Sequence, residues 1–123
     1  MIQRLEISGV HMELDDDVKR YVMRKIGKLD RFLPRHIRPS IHADVKLFEA
    51  NQKTKQVRTC EIVMQLPQET FTVKETTINI YAAIDIAEEK LKQHIKKYKG
   101  RHTDGRLYRR LANRWRKHGS PEV

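Results

Sequence analysis

Residues 59–74 read Thr59-Cys60-Glu61-Ile62-Val63-Met64-Gln65-Leu66-Pro67-Gln68-Glu69-Thr70-Phe71-Thr72-Val73-Lys74, and this stretch decides the fold. Cys60, Ile62, Met64 and Leu66 alternate with Thr59, Glu61, Val63 and Gln65, and Phe71 and Val73 alternate with Thr70, Thr72 and Lys74. A period of two gives each segment one apolar and one polar face, so both read as strands. Pro67-Gln68-Glu69 between them is short enough for a tight hairpin connection. Upstream, Ile41, Ala43, Val45 and Leu47 alternate with His42, Asp44 and Lys46, a further strand. The polar, lysine-bearing stretch Asn51 to Gln56 predicts a longer exposed loop. Strands with one apolar face each predict an antiparallel sheet covered on one side only.

On either side the period changes from two to about 3.6. Downstream, Ile80, Ile84, Ala87, Leu91, Ile95 and Tyr98 form an apolar stripe and predict a helix from about Asn79 to Lys99. Thr77 or Asn79 would cap it, and Gly100 would end it. Upstream, Val18, Val22, Ile26, Leu29 and Leu33 recur at helical spacing, and Pro34 stops that helix. Asp15, Asp16 and Asp17 sit where acidic side chains satisfy the free amides of a helix start. Three adjacent carboxylates cannot converge on one metal ion without partners elsewhere, so the triad reads as a cap. Leu5 and Ile7 alternate with Arg4, Glu6 and Ser8, a short first strand. The predicted class is α+β in the order β-α-β-β-β-α: one four-stranded sheet with two helices packed on one face, followed by a basic tail. Without its first strand this is the order of double-stranded-RNA-binding domains, an analogy of fold alone.

Charge is distributed unevenly along the chain. Between Lys90 and Lys117 there are twelve basic residues and one acidic residue, Asp104, a net of 12 − 1 = +11. Residues 1–89 hold fourteen of each sign and sum to zero. A neutral stretch thus precedes a cationic one that begins within the last helix of the domain, residues 1–100, and continues through the basic tail, residues 101–123. Such a segment suits a polyphosphate partner, which is recognised first through release of condensed counterions. With 123 residues the chain is one domain; hydrophobic residues make up 38% and charged residues 34%. No apolar run approaches the roughly 18 residues of a membrane span, and Met1 to Val10 alternates unlike a signal-peptide core. The single cysteine, Cys60, fits a reducing cytoplasm.

The basic residues gather on faces. Arg20, Arg24, Lys28 and Arg31 fall within about one quadrant of the first helix, opposite Val18 and Leu29. Lys92, Lys96 and Lys99 line one flank of the second helix, and Lys90 and Lys97 the other. A lone lysine stripe is ordinarily a solvated helix face. Two stripes and a basic tail on one small domain instead predict a phosphate-binding platform. In the tail, Leu107, Leu111 and Trp115 lie four apart, consistent with a short amphipathic helix among Arg106, Arg109, Arg110, Arg114, Arg116 and Lys117. Tyr108 and Trp115 could stack on unpaired bases, or Trp115 and Leu111 could dock back on the domain.

No constellation supports catalysis. The six histidines (His11, His36, His42, His94, His102 and His118) lack metal-site spacing, and no glycine-rich phosphate loop or serine elbow is present. His42 falls on the solvent side of its strand and His94 at the edge of its helical stripe. Cys60 falls on the apolar side of its strand and reads as core. No cofactor, metal or small-molecule substrate is expected.

Asn79-Ile80-Tyr81-Ala82-Ala83-Ile84-Asp85, followed by Lys90-Leu91 and Lys97-Tyr98-Lys99, resembles the signature of the ribosome hibernation promoting factor and protein Y family, whose members are also called ribosome-associated inhibitors or sigma-54 modulation proteins. Lys25, Lys28, Leu29 and Phe32 match the same family's Lys-x-x-Lys-Leu pattern near the end of the first helix. The resemblance covers about residues 2–101. It implies a β-α-β-β-β-α domain that binds ribosomal RNA in the decoding channel of the small ribosomal subunit. There it would overlap the places of transfer and messenger RNA and silence idle ribosomes under stress. Carried over, Lys25, Lys28, Lys90, Lys97 and Lys99 would touch RNA, and Tyr81 to Asp85 would set helix start and packing. Arg20, Arg24, Arg31, Lys92, Lys96 and Arg101 complete the candidate set on the domain, with Arg106, Arg109, Arg110, Arg114, Trp115 and Arg116 on the tail.

Several positions depart from the pattern. Asn79-Ile80 replaces Asp-Met, Gln93-His94 stands where Arg-Gln is common, and Glu49 to Gln56 looks longer than in short relatives. The tail is basic, unlike the acidic tail of protein Y, and too short to be the dimerising C-terminal domain of long forms, so a monomer off the ribosome is expected. A regulator that binds a protein, as the sigma-54 label suggests, and a generic RNA-binding module are the alternatives. A net of +11 in one segment argues against the former.

Overall fold

The computed structural model describes residues 1–52 and 55–102. The elements are β1 (Arg4–Val10), α1 (Asp16–Ile26), β2 (His42–Gln52), β3 (Lys55–Leu66), β4 (Glu69–Thr77) and α2 (Ile80–His102), with 3-10 turns over Gly27–Phe32 and Arg35–Ser40 between α1 and β2. The expected α+β order, β-α-β-β-β-α, is therefore present. The strands lie in the order β1-β2-β3-β4. β2, β3 and β4 are antiparallel neighbours, but β1 runs parallel to β2. The sheet is mixed, not wholly antiparallel as alternation suggested. The helical crossover between β1 and β2 returns the chain to the same end of the sheet, and side-chain alternation carries no information about strand direction.

Two connections differ from the sequence expectation. Leu66 pairs with Glu69, so the β3–β4 turn is just Pro67 and Gln68. Proline holds φ near about −65° and Gln68 has φ 74°, the combination of a type II turn. Between β2 and β3 the expected loop Asn51 to Gln56 is mostly strand, for Gln52 pairs with Lys55. Cross-strand hydrogen bonds need no apolar side chains, so a polar stretch extends the ladder. Arg58 Nε lies 3.4 Å from Glu49 Oε2, and Gln56 donates to the same Glu49 side chain, which steadies that extension.

Asp15 caps α1 as expected, its Oδ1 accepting the Val18 amide at 2.8 Å. The α-helix ends at Ile26, well before Pro34. Gly27 weakens helix propensity there, and the chain tightens into a 3-10 turn that keeps Leu29 fully buried. At three residues per turn, Lys28 and Arg31 come onto one edge. Asn79 caps α2, its side-chain oxygen accepting the Tyr81 amide at 2.9 Å. Gly100 does not end α2, which continues to His102. Tertiary contacts carry the helix past the glycine: the Tyr98 hydroxyl donates to the Pro67 carbonyl at 3.0 Å, and Arg101 makes a bidentate pair with Glu69 at 2.8 and 2.7 Å.

Both helices pack on one face of the sheet. Val18, Val22 and Ile26 of α1 and Ile84, Ala87, Leu91 and Ile95 of α2 form one buried cluster with Val45, Leu47, Ile62 and Met64. Cys60 is fully buried there. Burial, with Glu75 adding to it, pushes its thiol up to about 12, so it is a core group and not a nucleophile. Near the end of β1 the backbone turns so closely that a Cβ at Gly9 would lie 2.5 Å from the Met12 carbonyl oxygen.

The opposite face of the sheet carries no helix. By register it presents Arg4, Lys46, Lys55 and Lys74 against Glu6, Asp44 and Glu61, four cations to three carboxylates. Lys46, Glu61 and Lys74 stand directly opposite one another across three strands, a pairing of alternating sign. His42, expected to face solvent, is half-buried on this face; its Nε2 lies 3.7 Å from Glu6 and makes no hydrogen bond among the described residues.

Candidate nucleic-acid interface

Contacts between the two helices ascend together. Tyr21 meets Tyr81 and Asp85, Lys25 meets Asp85 and Glu88, and Phe32, just past α1, meets Lys92. The helices therefore run side by side in the same direction, with a polar seam between them on the outer side of the helix layer.

Three charged and phenolic groups fasten this seam. The Tyr21 hydroxyl donates to Asp85 Oδ1 at 2.5 Å. Lys25 Nζ lies 3.5 Å from Asp85 and 3.8 Å from Glu88, and Lys92 Nζ reaches Glu88 at 4.0 Å. Glu88 is only 6% exposed, and a carboxylate so buried is costly unless such cations are paired with it. The hydrogen bond to Asp85, then burial and the Asp85 charge, push the Tyr21 phenol from 10.0 up to about 12, against a downward pull from Arg24.

A phenol with a raised pKa holds its proton more tightly folded than unfolded. Its contribution to stability is complete below pH 10 and is lost as pH rises from 10 to about 12. Cys60 is raised in the same sense and Tyr98 likewise by burial. Tyr21→Phe should therefore remove part, not all, of the stability lost between pH 9.5 and 11.5, read from urea unfolding at both values. An unchanged difference would mean that Asp85 does not hold the phenol.

The predicted cations divide into two groups. Lys90 is paired with Glu75 at 2.8 Å and Arg101 with Glu69, so this flank of α2 clamps the edge strand β4. Arg20 pairs with Asp17 at 2.8 Å on the surface. Lys25 and Lys92 neutralise Glu88 within the seam. By contrast, Arg24, Lys28, Arg31, Lys96 and Lys97 have no carboxylate in ion-pair contact among the described residues. Lys99 lies on the seam flank of α2, near its end. The tail candidates Arg106, Arg109, Arg110, Arg114, Trp115 and Arg116, with Tyr108, lie outside the described residues.

Sequence reasoning missed the seam. Tyr21 and Asp85 are far apart in the chain, and nothing local pairs them. Glu88 could have been found: it lies on the same side of α2 as Ile84, Leu91 and Ile95, so a carboxylate there had to be matched from a neighbouring element. His94, placed at the edge of that stripe, stacks on Phe71 with centroids 5.2 Å apart. Among the described residues no group of three or more His, Cys, Asp or Glu could hold a metal ion, and no helix is long and apolar enough to cross a membrane.

The sequence profile described as sigma 54 modulation protein / S30EA ribosomal protein matches residues 5–103. The chain is 33% identical over 98 residues to a ribosome hibernation promotion factor of Staphylococcus aureus (strain COL), covering 80% of this chain and 49% of that protein. It is 30% identical over 98 residues to a protein of the same name from Lactococcus lactis subsp. cremoris (strain MG1363), covering 80% and 50%. The chain thus spans about half the length of the curated relatives it matches. Among solved structures, the N-terminal domain of Thermus thermophilus protein Y superposes with a TM-score of 0.65 at 29% identity, over 76% of this chain and 94% of that one. A ribosomal subunit interface protein from Coxiella burnetii shares the fold, with a TM-score of 0.60 at 18% identity over 79% and 98%.

Proposed function

The chain belongs to the sigma 54 modulation protein / S30EA ribosomal protein family, and from that premise we propose that it is a non-catalytic, cytoplasmic ribosome-silencing factor. It binds ribosomal RNA in the decoding channel of the small subunit, occupies the places of transfer and messenger RNA, and so inhibits translation. Occupancy is the whole mechanism, and no bond is made or broken. One observation carries this reading: charge is one-sided. The open sheet face interleaves four cations with three carboxylates, a net of 4 − 3 = +1, whereas the helix layer presents Arg24, Lys28, Arg31, Lys96 and Lys97 without carboxylate partners among the described residues.

Such cations gain most from a surface of regularly spaced phosphates, because each neutralised phosphate releases counterions to the solvent. The seam ion pairs hold both helices in one orientation, so the cations approach RNA as a preset array and little freedom is lost on binding. Lys90 and Arg101 serve mainly to fasten α2 to β4. Exposed pairs of this kind contribute little, so either could exchange its carboxylate for a phosphate.

The test is co-sedimentation of the full chain with purified small subunits across a salt series, with bulk transfer RNA as competitor. Retention on small subunits in excess competitor, with affinity falling linearly in log salt, is the expected result. Equal loss to any RNA would leave a generic basic binder and refute the ribosomal assignment.

A further inference from the structure

Two exposed aromatic rings bracket the seam. Tyr81, in the first turn of α2, is 37% exposed, and its ring meets Tyr21 edge-on with centroids 4.9 Å apart and planes at 90°. Tyr21 cannot give way, because Asp85 holds its hydroxyl and the Arg24 guanidinium and Lys25 ammonium lie 5.3 and 5.7 Å from its ring. Beyond α1, Phe32 is 36% exposed, with the Arg31 guanidinium 4.9 Å and the Lys92 ammonium 6.0 Å from its ring. Eleven residues of α2 separate Tyr81 from Lys92, about 16 Å along the axis.

Neither ring completes the core; cations lie against Phe32 itself and, at Tyr81, against the Tyr21 ring that braces it. A continuous RNA duplex offers phosphates and 2′-hydroxyls to such a surface, but its bases are stacked on one another and have no face to spare. Unpaired bases do, and stacking on an aromatic ring beside a phosphate-binding cation is how single strands and loops are held. On the reading above, that RNA lies along the seam, and we propose that Tyr81 and Phe32 are stacking positions for two of its unpaired bases. The partner class is narrowed accordingly. Although the element order matches that of duplex-binding domains, this face takes looped or single-stranded RNA. Tyr81, which the family resemblance assigned to helix start and packing, becomes a contact residue braced by Tyr21.

The experiment uses the full chain and purified small subunits. Tyr81→Ala and Phe32→Ala should each weaken binding by about 5- to 100-fold. The loss should be similar at every salt concentration, because no phosphate contact is removed and the slope against log salt is unchanged. Tyr81→Trp and Phe32→Trp should restore affinity, which a purely structural role for the rings would not produce. Ultraviolet cross-linking of the unaltered chain needs no substitution, and should join peptides bearing Tyr81 or Phe32 to nucleotides outside helices. If the unaltered chain binds small subunits but the alanine variants bind equally well, or the rings cross-link to no RNA, the stacking proposal is overturned and the ribosomal reading stands. If the unaltered chain shows no preference for small subunits, both fall.

Discussion

Arg24→Glu combined with Lys28→Glu should abolish the proposed small-subunit binding while leaving the domain folded. Arg24 is exposed on α1, and Lys28 stands half-buried at the start of the 3-10 turn; among the described residues neither has a carboxylate partner to lose. On the proposed binding face, reversal would remove two cations and place two anions beside the RNA backbone. Loss of two phosphate contacts lowers the slope of log affinity against log salt by roughly 2, and the added repulsion brings the total loss to about 100-fold or more at moderate salt. The cost to folding is small, since Arg24 contributes only a surface contact with the Tyr21 ring, worth about 0.5–1 kcal/mol. Arg4→Glu with Lys55→Glu is the matched control, the same change of charge on the open sheet face, at positions with no carboxylate directly opposite. Co-sedimentation with thermal melts measures both pairs. Near-normal binding by the Arg24/Lys28 pair, or an equal loss from the control, would remove the helix layer as the binding face.

The largest expected effect on stability comes from Leu29→Ala. Leu29 is fully buried in the 3-10 turn after α1, where it closes the end of the core. Truncating it removes its transfer energy and leaves a cavity, a combined cost of about 2–5 kcal/mol. Against a usual total of about 5–15 kcal/mol this is a large fraction, and the melting temperature should drop on the order of 10 °C. The same residue anchors the turn that carries Lys28, Arg31 and Phe32, so loosening it should also disturb the array proposed to face RNA. Urea unfolding decides the point: a loss below about 1 kcal/mol would mean that the turn is not held by burial of Leu29.

Much of the fold is legible in residue order, because two periods report directly on which side chains leave water. Alternation at Ile41–Leu47, Cys60–Leu66 and Phe71–Val73 marks strands, and the stripe from Ile80 to Tyr98 marks α2. Caps were equally readable: Asp15 and Asn79 bond amides two or three residues ahead, so both partners lie within one turn. The misread boundaries share a cause. Gly100 and Pro34 are local stop signals, yet α2 runs past Gly100 because Glu69 and Pro67 hold Arg101 and Tyr98. α1 yields to a 3-10 turn ahead of Pro34 at Gly27, and Leu29 stays in the core through it.

For the interface, residue order settled the candidate cations and the helical faces they share, since charge and a 3.6-residue period are properties of the chain itself. Which of those cations remain available was decided only by packing. Lys90 and Arg101 meet carboxylates of β4, and Lys25 and Lys92 meet Glu88, while Arg24, Lys28, Arg31, Lys96 and Lys97 meet none among the described residues. Tyr21, Tyr81, Asp85 and Phe32 become a site only when α1 and α2 lie side by side. Local sequence governs which way a side chain points from its own backbone; what it then meets depends on a second element brought from far along the chain.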